Sequence, residues 1–153
     1  MVTARHVHSA ILLNSCKVTA GYKSANYIDS SEIYDSSTNH WNITVSMAAA
    51  REFHTATLLN SGQVLITGGV GNTAYIASCE IYDPSMGQWN NITSMKVERP
   101  SHTTTLLNSG KVLDTAGYGY TGYLDSSETF DPSTDNMEPY LIRAKFLSRV
   151  EKN

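Results

Sequence analysis

The sequence predicts an all-β fold made of three copies of a four-stranded antiparallel sheet, stacked as blades of a β-propeller segment. Two observations lead to this prediction. The first is an internal repeat with an interval of 48 residues, shared by Glu32, Glu80 and Glu128. The second is that each repeat divides into four short strand-like runs separated by turn signals, with no helical periodicity.

The second repeat is the cleanest copy and predicts each strand in turn. Strand a covers about residues 54–59, and Asn60-Ser-Gly62 supplies a hairpin turn with Gly where a positive φ is needed. Strand b follows over about 63–67, strand c over 77–82 and strand d over 88–93. Four short strands in every repeat favour stacked antiparallel blades over a single continuous sheet.

The repeat interval sets the predicted domain organisation. The repeats cover residues 1–143, with blades at about 1–46, 47–94 and 95–143. The non-repeat tail, 144–153, lacks Gly and Pro. Apolar residues recur every four positions at Ile142, Phe146 and Val150, which is consistent with a short helix. We expect this tail to cap the last blade. The alternative is a basic helix that binds a partner.

Composition excludes several classes of function. Eleven basic and 14 acidic residues give a net charge of −3, which does not provide the basic field that nucleic acid or an anionic membrane requires. The longest apolar runs are far shorter than the roughly 20 residues that span a bilayer. Two cysteines make no disulfide framework, and the first residues contain no apolar stretch of secretory length. A reducing compartment, most simply the cytoplasm, is expected.

Several motifs recur in register and identify a resemblance. They are Arg-x-x-His, Gly-Gly after strand b, Glu-x-Tyr-Asp-Pro on strand c, and Trp six residues before Met. The second repeat carries all four in full, whereas Ala20 and Ala116 replace the first Gly of the doublet, Ser36 replaces Pro and Met137 replaces Trp in the other repeats. With these motifs the chain resembles kelch repeats over about residues 1–143. The resemblance implies one propeller blade per repeat, and it implies a recognition platform rather than an enzyme.

A second resemblance provides an alternative function. The segment Arg51-Glu-Phe-His54-Thr55 is similar to the part of galactose oxidase that supplies a Tyr-His copper pair. At the Tyr position the three repeats hold Val7, Phe53 and Ser101, so no copy offers a phenolate. A copper-radical oxidase is therefore not expected. The alternative is a degenerate extracellular relative of that propeller that binds glycans or is a pseudo-enzyme.

Strand order predicts which residues share one end of the blades. In a four-stranded meander, the a–b and c–d turns lie at one end, and the b–c loops and d-to-a connections lie at the other. The second end has longer, more varied loops, and loops on a rigid scaffold commonly bind. A recognition surface is therefore expected there. The candidate binding residues are Arg5, Arg51, Arg99, Tyr22, Asn72, Tyr118 and Tyr120.

Arginine and tyrosine together suit recognition, because a guanidinium group matches carboxylates and tyrosine gives rigid amphipathic area. In kelch propellers of ubiquitin-ligase adaptors, such residues contact acidic peptides. The resemblance thus implies a protein or acidic-peptide partner at Arg51, Arg99, Tyr22 and Tyr118. Two alternatives stay open: the arginines donate to loop carbonyls, or the loop tyrosines are incidental. Tyr123 recurs at the same position in every repeat and is expected to pack within its blade.

No metal, cofactor or catalytic group is expected. The histidines that recur on the presumed innermost strand, His8, His54 and His102, fall on different blades, whereas a zinc ion needs all its ligands near 2.1 Å. Glu80 and Asp83 lie three residues apart on a strand and therefore on opposite faces, so they cannot form a glycosidase pair. Hydrogen-bonded structural roles are the simpler prediction for all of these residues.

An open arc of three blades leaves its two outer faces without a neighbouring blade. Rings of this architecture generally need about four to eight blades. Closing the arc could contribute on the order of 10 kcal/mol of apolar burial, comparable to the stability of a whole domain. We therefore expect self-association or further blades that close the ring.

Overall fold

The computed structural model is an all-β structure. It describes the backbone of residues 1–13, 16–23 and 26–140 and the side chains of residues 1–13 and 26–140. Within these ranges no helix is present. None of the described segments could therefore span a bilayer as a long apolar helix. The predicted tail, 144–153, lies outside the described residues.

Each sequence repeat forms one four-stranded antiparallel sheet, as predicted. Blade 1 contains, in paired order, β1 (His6–Leu13), β2 (Cys16–Lys23), β3 (Asn26–Asp35) and β4 (His40–Ile43). Blade 2 contains β5 (Thr55–Leu58), β6 (Val64–Thr67), β7 (Cys79–Asp83) and β8 (Gln88–Ile92). Blade 3 contains β9 (Thr103–Leu106), β10 (Val112–Thr115), β13 (Ser127–Asp131) and β14 (Asn136–Tyr140), and the loop after β10 carries a small ribbon of β11 (Tyr118–Gly119) and β12 (Gly122–Tyr123).

The blades pack side by side, with the first strand of each blade innermost. Strand β5 contacts β1 on one side and β9 on the other. Apolar side chains fill the two spaces between blades, because each sheet must bury both faces against a neighbour. The buried cluster between blades 1 and 2 is Leu13, Met47, Val64, Ile66 and Tyr82. The buried cluster between blades 2 and 3 is Leu59, Leu65, Cys79, Met95, Val112, Phe130 and Met137.

Glycine is required where neighbouring blades approach most closely. Gly68 has φ +61°, and a Cβ there would lie 2.9 Å from Met95 Cε and 3.0 Å from the Arg99 carbonyl oxygen of the next blade. Ala116 takes the same position in blade 3 with φ 57° and is exposed. The alanine is accommodated because no described blade lies against it.

One residue in each repeat holds a left-handed backbone conformation despite having a side chain. Val7, Phe53 and Ser101, each two positions after the repeat arginine, have φ values of 49°, 52° and 56°. This region is unfavourable for L-residues and most unfavourable for a β-branched one such as valine. The kink turns the chain from the d-to-a connection into the innermost strand, and it leaves Phe53 43% exposed.

Candidate binding surface

An arginine and a glutamate form a buried ion pair in every blade, at the end that carries the b–c loops. In blade 2, Arg51 Nη2 lies 2.7 Å from Glu80 Oε1, and the two side chains are 0% and 1% exposed. The equivalent pairs in the other blades are buried to within 3%. The three pairs are Arg5–Glu32, Arg51–Glu80 and Arg99–Glu128.

In blades 2 and 3, the ion pair joins three segments of its blade. In blade 2, Arg51 Nη1 donates to the carbonyl oxygens of Gly68 at 3.0 Å and Ser78 at 2.7 Å. Glu80 accepts from the backbone N–H of Ala48 at 2.7 Å. The d-to-a connection, the end of β6 and the start of β7 are therefore tied together by buried, charge-assisted hydrogen bonds.

In the pair of blade 1, burial and hydrogen bonding have opposite effects on the pKa of Glu32. Burial raises the pKa of Glu32, whereas hydrogen bonds from the backbone N–H groups of Val2 and Thr3 and the charge and hydrogen bond of Arg5 lower it. The lowering effects are larger in sum, so the pKa lies below its ordinary value and Glu32 is ionised at neutral pH. The pair therefore carries no net charge.

These contacts revise the sequence-based interpretation of Arg5, Arg51 and Arg99. Their side chains have no exposed surface, because they donate to loop carbonyls and glutamates inside the blades. This is the structural alternative that the sequence left open. A ligand at this end would meet the loops rather than the arginines. The side chain of Tyr22 lies outside the described residues.

The exposed part of this end is a cluster of tyrosines on the loops of blades 2 and 3. Tyr118 is 42% exposed and Tyr120 is 68% exposed. Tyr120 stacks on Tyr75 with ring centroids 4.6 Å apart and planes inclined by 24°. The expectation that Tyr123 packs within its blade is wrong, because its side chain is 93% exposed and meets Tyr118 edge-on at 5.4 Å.

The loop of blade 3 presents Tyr120 because it folds as a tight β-ribbon. Tyr118 pairs with Tyr123 and Gly119 with Gly122, which leaves Tyr120 and Thr121 as the two turn residues. Gly122 has φ +122°, which an L side chain rarely adopts. The Tyr118 N–H donates to the Pro100 carbonyl at 3.0 Å. The ribbon is thus fixed to the d-to-a connection, and the tyrosine at its tip is held in place.

A shallow cleft of about 300 Å³ opens beside this tyrosine stack. Its lining includes Tyr27 from blade 1, Asn72 and Tyr75 from the b–c loop of blade 2, and Tyr120 from blade 3. The structure therefore brings the predicted residues Asn72 and Tyr120 together. Tyr27 and Tyr75 were not among the predicted binding residues, although both lie in or beside a b–c loop.

The exposed charges at this end of blades 2 and 3 are mostly negative. Asp125 is exposed, and Glu52 and Glu98 are partly exposed. None of the three forms a salt bridge with a described residue. Lys96 is the exposed cation of the described connection between these blades. With the arginines paired internally, carboxylates outnumber ammonium groups at the surface.

The opposite end of the blades is organised by aspartates that hold turns. Asp83 accepts from the Ser85 N–H at 2.8 Å and the Ser85 hydroxyl at 2.6 Å, as expected for a turn-capping residue. Hydrogen bonds from Ser133 and then the contact with Lys111 lower the pKa of Asp131 to about 2. These carboxylates accept hydrogen bonds that stabilise the turns, which indicates a structural role for this end of the blades.

The recurring histidines link neighbouring blades near the innermost strands. His54 Nε2 lies 2.8 Å from Ser9 Oγ of blade 1, and burial, with the nearby Arg51 charge, lowers the His54 pKa to about 3. In blade 3, His102 Nε2 lies 3.0 Å from Thr55 Oγ1 of blade 2 and 3.2 Å from Asp114 Oδ1. No group of three or more potential metal ligands is present among the described residues.

Comparison with known proteins adds one family. A family model described as the Kelch motif matches residues 54–96, which include the four strands of blade 2. No curated protein matches the chain. The similarity to galactose oxidase stays a prediction.

Proposed function

We propose that the chain is a non-enzymatic recognition module, because its second repeat matches the Kelch motif and kelch repeats generally mediate protein–protein contacts. The bound partner is a protein segment that contacts the b–c loops and d-to-a connections. The observation that carries this proposal is the exposed tyrosine cluster around Tyr75, Tyr118 and Tyr120.

Tyrosines of this kind are suited to binding. Each ring offers a large apolar surface with a polar tip, and only two side-chain torsions must be fixed on binding. The stack on Tyr75 and the hydrogen bond from the Tyr75 N–H to Tyr120 Oη, 3.1 Å long, fix one of these rings in advance. Preorganisation of this kind reduces the entropic cost of association.

The arginines act in this proposal as supports of the loops. An acidic peptide was expected because Arg51 and Arg99 were expected to contact its carboxylates. Their pairing with Glu80 and Glu128 removes the physical basis for that preference. The loops, rather than the arginines, therefore determine the chemistry of the partner.

The proposal also includes contact with a second copy of the chain or with further blades. The side of blade 1 that faces away from blade 2 exposes apolar side chains, with Val2 59% exposed and Leu12 66% exposed. Leu58, at the same repeat position in blade 2, packs instead against the cluster between blades 1 and 2. The expected result is a mass above that of one chain in light scattering. A stable, cooperative monomer at high concentration would contradict it.

Selection from a random peptide library tests the binding face. Peptides selected on the full chain should lose at least tenfold in affinity when Tyr118 and Tyr120 are replaced by alanine, because aromatic anchors carry much of the energy of such contacts. The matched control at the opposite end is Ser61→Ala with Ser133→Ala, which should leave affinity unchanged. If the control abolished binding and the tyrosine variant did not, the face would be assigned to the wrong end.

A further inference from the structure

We infer that the segment bound at the tyrosine cluster is cationic and presents Arg or Lys side chains to the tyrosine faces. This inference rests on the proposed function and reverses the acidic partner expected from the sequence. It combines two features of the same surface, namely open aromatic faces and unpaired carboxylates around them.

The positive charges of the two arginines are not accessible to a ligand. Arg51 and Arg99 each form an ion pair with a glutamate within the blade, and both side chains are 0% exposed. A carboxylate on a ligand could approach them only by displacing a buried partner, which is costly. The charges that an approaching ligand meets are therefore those of the loop surface.

Acidic residues lie on the segments next to the tyrosine loops. The backbone of Glu52 forms a β-bridge with Val70, which lines the cleft and forms another bridge with Tyr75. In blade 3, Asp125 follows Tyr123 by two residues, in the segment between β12 and β13. Each of the two tyrosine loops is thus joined to a segment that carries an exposed or partly exposed carboxylate.

A third acidic residue, Glu98, lies on the connection between blades 2 and 3. The Tyr118 N–H donates to the carbonyl of Pro100, two residues after Glu98. Glu98 therefore belongs to the segment against which the ribbon is fixed. Carboxylates at these positions would attract a cation and, being partly exposed, would retain water while doing so.

The tyrosine rings offer an open aromatic face. Tyr120 uses one face to stack on Tyr75 and is still 68% exposed, so its other face is open to a ligand. A guanidinium or ammonium group within about 6 Å of a tyrosine ring centroid is attracted by the ring quadrupole. Tyrosine faces framed by carboxylates therefore select a cationic side chain over an acidic one.

The test compares three alternating peptides of equal length, about twelve residues, on the full chain: Arg-Gly, Gln-Gly and Glu-Gly. Backbone amide shifts in NMR spectra locate the binding. The Arg-Gly peptide should perturb the 117–123 and 69–77 loops and bind at least about fivefold more tightly than the Gln-Gly peptide. The Glu-Gly peptide should bind more weakly than either.

Variants separate ring contact from general attraction to an acidic chain. Tyr120→Leu keeps every charge but removes the aromatic face, and it should weaken Arg-Gly binding about fivefold or more. Tyr120→Phe loses the hydrogen bond from the Tyr75 N–H but keeps the aromatic ring, so it should weaken binding less than Tyr120→Leu. Asp125→Asn with Glu98→Gln should narrow the difference between the Arg-Gly and Gln-Gly peptides. Ser133→Ala, at the opposite end, should leave the affinity for the Arg-Gly peptide unchanged.

Three outcomes would overturn the inference: tighter binding of the Glu-Gly peptide, no shift of the loop amides with the Arg-Gly peptide, or no effect of Tyr120→Leu. Preferential binding of an uncharged hexasaccharide at the same tyrosines would overturn it as well and would indicate a glycan ligand. If the Glu-Gly peptide bound at these loops, the proposed protein-binding face would stand without its cationic preference. If the proposed binding face were wrong, the selected peptides would instead map to the opposite end of the blades, at the a–b and c–d turns.

Discussion

Blade 1 and blades 2 and 3 place the same residue types in different environments. Met47 and Met95, which precede the first strands of blades 2 and 3, are 3% and 4% exposed between blades. Met1, at the same repeat position in blade 1, is 51% exposed. The histidines follow the same rule, since His54 and His102 are buried and His8 is exposed.

The difference shows that burial in this fold comes from the neighbouring blade rather than from the blade itself. Equivalent residues are core where a preceding blade lies against them and surface where the described residues supply none. Stability should therefore depend mainly on the interfaces between blades, as in repeat proteins generally. Variants at equivalent positions in different blades test this directly.

The largest effect should come from the buried ion pairs. Glu80→Gln leaves Arg51 without its carboxylate in a buried site and should reduce the free energy of unfolding by about 3–5 kcal/mol. Chemical denaturation measures the loss. Glu32→Gln should cost less, because Val2, whose N–H donates to Glu32, is exposed and packs against no described blade.

A double variant controls for loss of charge alone. Arg51→Met with Glu80→Leu removes both charges, and it should recover much of the stability lost in Glu80→Gln because no unpaired charge remains. Equal losses in the single and double variants would mean that packing, rather than pairing, sets the cost.

The repeat methionines should give the next largest difference. Met95→Ala removes a side chain that is 4% exposed at the interface of blades 2 and 3, and it should cost about 2–5 kcal/mol in denaturant unfolding. Met1→Ala should cost under about 0.5 kcal/mol in a monomeric chain, since exposed positions contribute little. A large effect at Met1 would show that its face is covered in solution.

Acid should destabilise the interface between blades 1 and 2 through His54. Burial lowers its folded pKa to about 3, below the ordinary value of 6.5, so the unfolded chain binds the proton more readily. Its contribution is fully present above pH 6.5 and is lost as pH falls toward 3, by about 1.4 kcal/mol per pH unit. His54→Gln should flatten this part of the profile.

The smallest effect should come from the left-handed positions. Asparagine tolerates this conformation better than other residues with a side chain, so Val7→Asn and Phe53→Asn should each raise stability by up to about 1 kcal/mol. The gain should be larger at Val7, because valine is β-branched. Thermal unfolding measures both, and a loss at Phe53 would indicate that its exposed ring packs against another chain.

Much of the fold was predictable because it repeats. The hairpin turn at Asn60-Ser-Gly62 was placed correctly, and Gly62 has the positive φ, +85°, that the turn requires. Strand c begins at Cys79 rather than Ala77, because the Ala77 carbonyl instead accepts from the Met95 N–H of the next connection. Pro139 lies on the outermost strand of blade 3, where a missing donor is tolerated.

The binding surface was less predictable because it depends on side-chain partners distant in sequence. Arg51 and Glu80 are 29 residues apart, and only their joint recurrence in the repeats hints that they pair. Asp114 was not recognised either, although it alone interrupts the apolar strand b, where Ile66 stands in blade 2. The repeat position of Tyr123 predicted packing within its blade, but the ribbon of β11 and β12 turns the side chain outward.

Cys79 makes the interface of blades 2 and 3 measurable without a label on the surface. Its thiol is fully buried, and burial raises its pKa to about 12, so it cannot react with an alkylating reagent while the blades are packed. In a Cys16→Ser chain, its rate of alkylation therefore reports how often the two blades separate. A partner that closes the arc should slow this reaction, whereas one that binds only the loop tyrosines should affect it less.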